Sequence, residues 1–188
     1  MTGKSTAAKI VDAIRNENVK QIRLLFEAEP NQIHYNTPFG GQTWLGYAAF
    51  IGKLESLKEL EKLGIGINRD DNREGIKPIA RAASDGHEKV VQYLLSRGAD
   101  LDTHLSVCNP LFSAILGKSL PCIQLLLDAG VDSEVRYNSD TMQNMDALAF
   151  ALMRGCTDGA ELIARHIAKK RDLHIDELMS AAKKTAEK

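Results

Sequence analysis

The chain has 188 residues, 24 of them basic and 25 acidic, for a net charge of −1. That length suits one domain or one short repeat array, and the balanced charge gives no general attraction for nucleic acid or a membrane surface. The N-terminus lacks the apolar stretch of a signal peptide, no apolar run is long enough to span a bilayer, and the three cysteines, Cys108, Cys122 and Cys156, show no paired spacing. An odd, unpaired set suits a reducing compartment, so the expectation is a soluble cytoplasmic protein.

Taken in order, the chain reads as a series of short helix pairs. In residues 5–34, Ser5 or Thr6 caps a helix burying Ile10, Val11 and Ile14, and a second helix after Asn18 carries Val19, Ile22, Leu25 and Phe26. Residues 41–68 hold a second pair, turned at Gly52 and stopped at Gly64. Residues 75–102 hold the most regular one. Pro78 suits a first helical turn. Ile79, Ala82 and Ala83 then share a face, Gly86 ends the helix, and Val90, Val91, Leu94 and Leu95 form the stripe of the next, which Gly98 stops. Residues 109–134 form a fourth pair in which Lys118 replaces the turn glycine, predicting a weaker turn. Residues 147–170 form the last pair. Its stripes are Leu148, Ala151 and Leu152, then Ala160, Ile163 and Ala164, with Gly155 as the turn. Leu173, Ile175, Leu178, Met179 and Ala182 predict a terminal helix over 173–186 that caps the open end. Gly52 to Gly86 and Gly64 to Gly98 each span 34 residues, Pro78 to Pro110 spans 32, and Pro110 to Ala147 spans 37. The stretch 131–146 is therefore read as a lengthened linker.

Two such helices have one apolar stripe each and cannot stand alone, so they must stack on further copies. The stretch 75–102 closely resembles an ankyrin repeat, in which a Thr-Pro-Leu-His turn, an Ala-Ala pair, a Gly-His turn, Val-Val, Leu-Leu and Gly-Ala-Asp recur in register. Gly75, Pro78, Ala82, Ala83, Gly86, His87, Val90, Val91, Leu94, Leu95, Gly98, Ala99 and Asp100 carry the match. In the second pair Trp44-Leu45-Gly46 stands for Pro-Leu-His, which predicts a looser turn with Gly46 giving the indole room. The resemblance implies an all-α ankyrin-repeat solenoid of about five helix pairs, filling residues 1–188 as one domain, with turns projecting as fingers.

Motifs that suggest chemistry give way to structural readings. Gly3-Lys4-Ser5 has the ending of a phosphate-binding loop but neither its upstream glycine nor a preceding strand. His87 fills the Gly-His turn. His104 and Cys108 lie four apart in a finger, without the further ligands a metal needs. Cys122 occupies a packed position, Cys156 a partly exposed one, and neither has an adjacent base. Lys169, Lys170 and Arg171 end a helix, where cations complement its dipole. No catalytic, metal or cofactor residue is assigned, and no cofactor is expected.

Members of the family usually bind other proteins along the concave groove and finger tips, often as scaffolds. The resemblance thus implies a non-catalytic interaction module, monomeric when unbound, with a protein partner and neither nucleic acid nor membrane. Alternatives are a self-associating structural unit, a bacterial ankyrin protein delivered into a host cell, and an enzyme assembled across repeats. In the family frame the groove slots are Phe50 and Ile51, Ser84 and Asp85, Leu116 and Gly117, Met153 and Arg154. The finger slots are Phe39, Gln42, Arg73, Glu74, Ile76, Leu105, Met142 and Met145. The expectation is a mainly apolar surface, with Arg73, Glu74, Asp85 and Arg154 orienting an apolar helix or extended segment by charge.

Overall fold

Side-chain oxygens satisfy orphan backbone N–H groups at the start of six helices, and the chain turns left-handed between the helices of every pair. The computed structural model describes residues 4–38, 41–70 and 75–187. Eleven α-helices lie among them: α1 Thr6–Arg15, α2 Val19–Ala28, α3 Trp44–Phe50, α4 Leu54–Lys62, α5 Pro78–Ser84, α6 Glu88–Ser96, α7 Pro110–Leu116, α8 Leu120–Asp128, α9 Ala147–Met153, α10 Thr157–Arg171 and α11 Ile175–Ala186. The oxygens of Ser5, Asn18, Thr43, Asn109, Ser119 and Asp146 cap α1, α2, α3, α7, α8 and α9. Of the two candidates for the first cap, Ser5 takes the role.

The turn between the helices of every pair has one residue with positive φ. Gly52, Gly86 and Gly155 take it at 70°, 71° and 63°, and Glu17 and Lys118 take it at 50°. The backbone geometry is thus kept where glycine is lost, and the substitutes reach across to the next pair. The Glu17 carboxylate accepts the Glu55 N–H at the start of α4, and the Lys118 ammonium donates to the Gly155 carbonyl.

The chain divides into two compact units, the first from Met1–Ala82 with Lys89–Asp100 and the second from Ala83–Glu88 with Leu101–Lys188. In the first, α1 packs on α2, α3 on α4, and α2 on α4. Ile10, Ile14, Ile22, Leu45, Leu57 and Leu60 form its core. The carboxylate of Glu59 is buried there but accepts from Arg23 at 2.8 Å, and buried Ser56 donates to the Ile14 carbonyl. The second turn of the chain is not loose. Trp44 is buried edge-on to Phe26, and its indole N–H donates to the Gln32 carbonyl at 2.8 Å. Gly46 does not make room for the indole. Its backbone N–H donates to Thr43 Oγ1, and a Cβ there would lie 3.0 Å from that oxygen.

In the second unit α7 packs on α8 and α9, α10 on α8 and α9, and α11 on α9 and α10. Leu111, Ile115, Ile123, Leu126 and Ile163 fill its core. The alanine pair divides between the units: Ala82 in the first and Ala83 in the second are both fully buried. Gly117 meets the carbonyl of Ser84 so closely that an added Cβ would lie 2.3 Å from it. The terminal helix begins at Ile175, two residues later than expected, because Asp172 ends α10 in the left-handed conformation. It buries Ala182 and leaves Ile175 exposed, as is Leu173 before it.

The stretch 131–146 is more than a linker. Tyr137–Ser139 (β1) and Met142–Met145 (β2) pair as an antiparallel hairpin, Tyr137 opposite Met145 and Ser139 opposite Met142. No helix among the described residues is long and apolar enough to cross a membrane.

Candidate functional site: an apolar pocket beside the hairpin

The pocket is built by a buried asparagine. Asn109 Oδ1 accepts the backbone N–H groups of Leu111 and Phe112 and so starts α7, while its amide donates to the Tyr137 hydroxyl at 3.0 Å. That hydroxyl in turn donates to the Thr103 carbonyl at 2.6 Å. One cap thereby fixes a helix, a hairpin strand and the loop before the helix. Burial raises the Tyr137 phenol above its ordinary value, with Asp102, Asp132 and Cys108 adding to the rise against the opposing hydrogen bond with Asn109. The hydroxyl therefore stays protonated and keeps donating.

The Tyr137 ring sits edge-on to Phe112 at 5.0 Å, and Phe112 stacks on Phe150 at 4.3 Å between centroids. Asp146 caps α9 through the Ala149 N–H, which sets the register that brings Phe150 beneath Phe112. The stacked pair forms the floor of an open-sided pocket of about 240 Å³, walled by Val107, Leu116, Met142 and Met153, with Ser106, Thr141 and Arg154 completing its lining. Val107 is 51% exposed, Leu116 49% and Met153 38%. The Arg154 guanidinium is exposed and has no ion-pair or hydrogen-bond partner among the described residues.

Residues 10–104, about half the chain, match the family model for ankyrin repeats in three copies. The chain belongs to the ankyrin-repeat family. It is 36% identical over 88 residues to the Notch-regulated ankyrin repeat-containing protein of Xenopus laevis, a match covering 46% of this chain and 76% of that one. It is 34% identical over 92 residues to protein phosphatase 1 regulatory subunit 27 of Mus musculus, covering 49% and 58%. With the probable E3 ubiquitin-protein ligase XBOS32 of Oryza sativa subsp. japonica it shares 30% identity over 125 residues, which are 65% of this chain but a quarter of that one.

Of the ankyrin groove and finger slots, the second unit brings Leu116, Met142, Met153 and Arg154 to one pocket. Met145, opposite Tyr137, is a core residue rather than a presented one, at 3% exposure. Ser84 is half-buried and donates to exposed Asp85. In the first unit Phe50 and, in the second, Leu105 are exposed, while Ile51, Ile76 and Gln42 are half-buried. Phe39, Arg73 and Glu74 lie outside the described residues. Sequence reasoning missed Val107, Phe112 and Phe150. A signal existed for Phe112: it fills the repeat position where ankyrin sequences carry histidine, and a large aromatic there can wall a pocket.

The other candidates resolve as packing. Cys156 is buried, not partly exposed, and Cys122 is fully buried. Burial pushes the Cys122 thiol up, away from a reactive thiolate. His104 pairs with Asp102 while Cys108 is buried, and no cluster of three or more potential metal ligands occurs among the described residues.

Proposed function

We propose that this chain is a non-catalytic protein-interaction module that takes its partner at the pocket of Leu116, Met142, Met153 and Arg154. The observation that carries this reading is the ring of exposed Val107, Leu116 and Met153 around a stacked phenylalanine pair. Leaving large apolar side chains in water costs about 25 cal/mol per Å², and contiguous exposed apolar surface marks interaction sites. Methionine and aromatic side chains, adaptable and large, suit an interface core. Phe50 and Ile51, and likewise Ser84 and Asp85, occupy the corresponding slots of earlier repeats.

The chemistry of the pocket supports a binding role over a catalytic one. Among the described residues, Arg154 is the one ionisable side chain in its lining, and no nucleophile and base meet there. Three free thiols, all buried, fit a reducing cytoplasm. The names of the similar proteins, a phosphatase regulatory subunit among them, favour a regulator that works by occupying a partner.

The test is affinity capture with the immobilised chain, comparing the wild type with Met153→Asp. The reading expects a protein retained by the wild type and lost on the variant, with equal melting temperatures. Retention by both would remove the pocket from the interface. Sedimentation velocity covers the self-association alternative. A concentration-dependent dimer that Met153→Asp dissolves would replace a foreign partner with a second copy.

A further inference from the structure

We infer that the pocket receives one large apolar side chain, aromatic by preference, from a peptide segment whose adjacent residue is acidic, the carboxylate pairing with Arg154. The inference rests on the interaction-module reading and adds the chemistry of the partner.

Size comes first. An apolar cavity of about 150 Å³ holds a benzene ring, and this pocket offers about 240 Å³, enough for a phenyl or indole ring with part of its stem. Shape and polarity follow. The floor is the stacked Phe112–Phe150 pair, its rings within 15° of parallel, whose outer edges and faces favour another ring by offset or edge-on contact. Met153 and Leu116 close the sides with flexible apolar chains that adapt to it.

Charge then decides what stands beside the ring. Among the described residues no acidic side chain lines the pocket, and Arg154 is its one charge. The Lys118 ammonium lies outside the lining and donates to the carbonyl of Gly155, the residue after Arg154, at 3.3 Å. Asp140, beside Thr141 at the hairpin turn, is not in the lining. Among the described residues Arg154 has no carboxylate partner, and its planar fork of donors matches a carboxylate at two points. A basic residue beside the anchor would meet the Arg154 cation, so acidic neighbours are selected and basic ones rejected.

Nuclear magnetic resonance with the isotope-labelled full chain tests this with stated probes. They are a short capped glycine–serine peptide carrying a tryptophan–aspartate pair, its tryptophan–asparagine and tryptophan–lysine counterparts, and free indole-3-propionate. The aspartate peptide is expected to shift the amide resonances of Phe112, Phe150 and Met153. It should bind about three- to fivefold more tightly than the asparagine peptide, the range that an exposed ion pair supports. The lysine peptide should bind weakest. Arg154→Gln should erase the aspartate–asparagine difference while leaving ring binding intact. Equal binding of the three peptides overturns the acidic neighbour. Binding of indole-3-propionate but of none of the peptides overturns a peptide partner in favour of a small carboxylate. If no probe moves the pocket resonances, the pocket assignment falls. Capture of a partner by wild type and Met153→Asp alike would then show that the module binds elsewhere, whereas no capture at all removes the interaction reading itself.

Discussion

The loop entering α3 in the first unit and the hairpin entering α9 in the second both fix an inner helix, and they use aromatic residues in opposite ways. In the first, the polypeptide turns Trp44 inward. The indole is 1% exposed, its N–H is satisfied by the Gln32 carbonyl, and Arg69 ties the same turn by donating to the carbonyls of Ile33 and His34. A short bridge, Asn36 with Thr43, completes the closure. In the second, Tyr137 closes the hairpin from its edge. Its hydroxyl takes the polar contacts with Asn109 and Thr103, and its ring supports Phe112 from the side. The first arrangement consumes its aromatic surface in the core. The second leaves a stacked pair at the base of an open pocket. Closure by a buried indole yields a stable turn, and closure by a hydrogen-bonded phenol yields a turn with a binding surface beside it.

Truncations should separate the two most sharply. Trp44→Ala empties a fully buried site and should cost about 3–5 kcal/mol, read from the midpoint of urea denaturation. A cost below that of Tyr137→Phe would break the comparison, since the indole would then not be the keystone of its turn. Asn109→Ala should cost about 1–3 kcal/mol, because it removes the cap of α7 and one partner of a buried hydroxyl together. It should also broaden the amide resonances around Phe112, which Trp44→Ala should leave alone.

Tyr137→Phe should cost about 1 kcal/mol near neutral pH and change the alkaline limb of stability. Burial holds the Tyr137 phenol above its ordinary value of 10.0. Above that pH the unfolded chain loses the proton while the folded chain keeps it, so the unfolded state binds fewer protons and stability falls as pH rises. Tyr93 in the first unit acts in the same direction: burial raises it, as does its hydrogen bond to Glu61, 2.5 Å away. The variant should therefore show a shallower decline from neutral to about pH 11, with the Tyr93 contribution remaining. An unchanged slope would mean that the hairpin phenol is open to solvent.

The smallest effect concerns the turns where glycine is missing. Lys118→Gly relieves a left-handed residue and loses one exposed hydrogen bond to Gly155, so stability should rise by less than about 1 kcal/mol. Glu17→Gly in the first unit relieves the same strain but also uncaps α4, and should gain less than Lys118→Gly. A larger gain at Glu17 would show that its carboxylate does not support the next helix.

The sequence by itself determined the repeat. Helix pairs at 34-residue spacing, the Ala82-Ala83 pair, the caps and the turn glycines follow from local stereochemistry and the 3.6-residue period, which are properties of neighbouring residues. Of the slots that the family frame names, Leu116, Met142, Met153 and Arg154 line the pocket. Tertiary structure alone decided the rest. Whether a long apolar side chain is core or surface depends on what packs over it, and that is how Met145 became buried while Met142, three residues away, lines the pocket. The hairpin was hidden because its pairing rests on Tyr137 meeting Asn109, 28 residues earlier, rather than on any strong local strand pattern. Phe112 and Phe150 become one surface only when α7 and α9 stack, a contact across 38 residues that no window on the sequence contains.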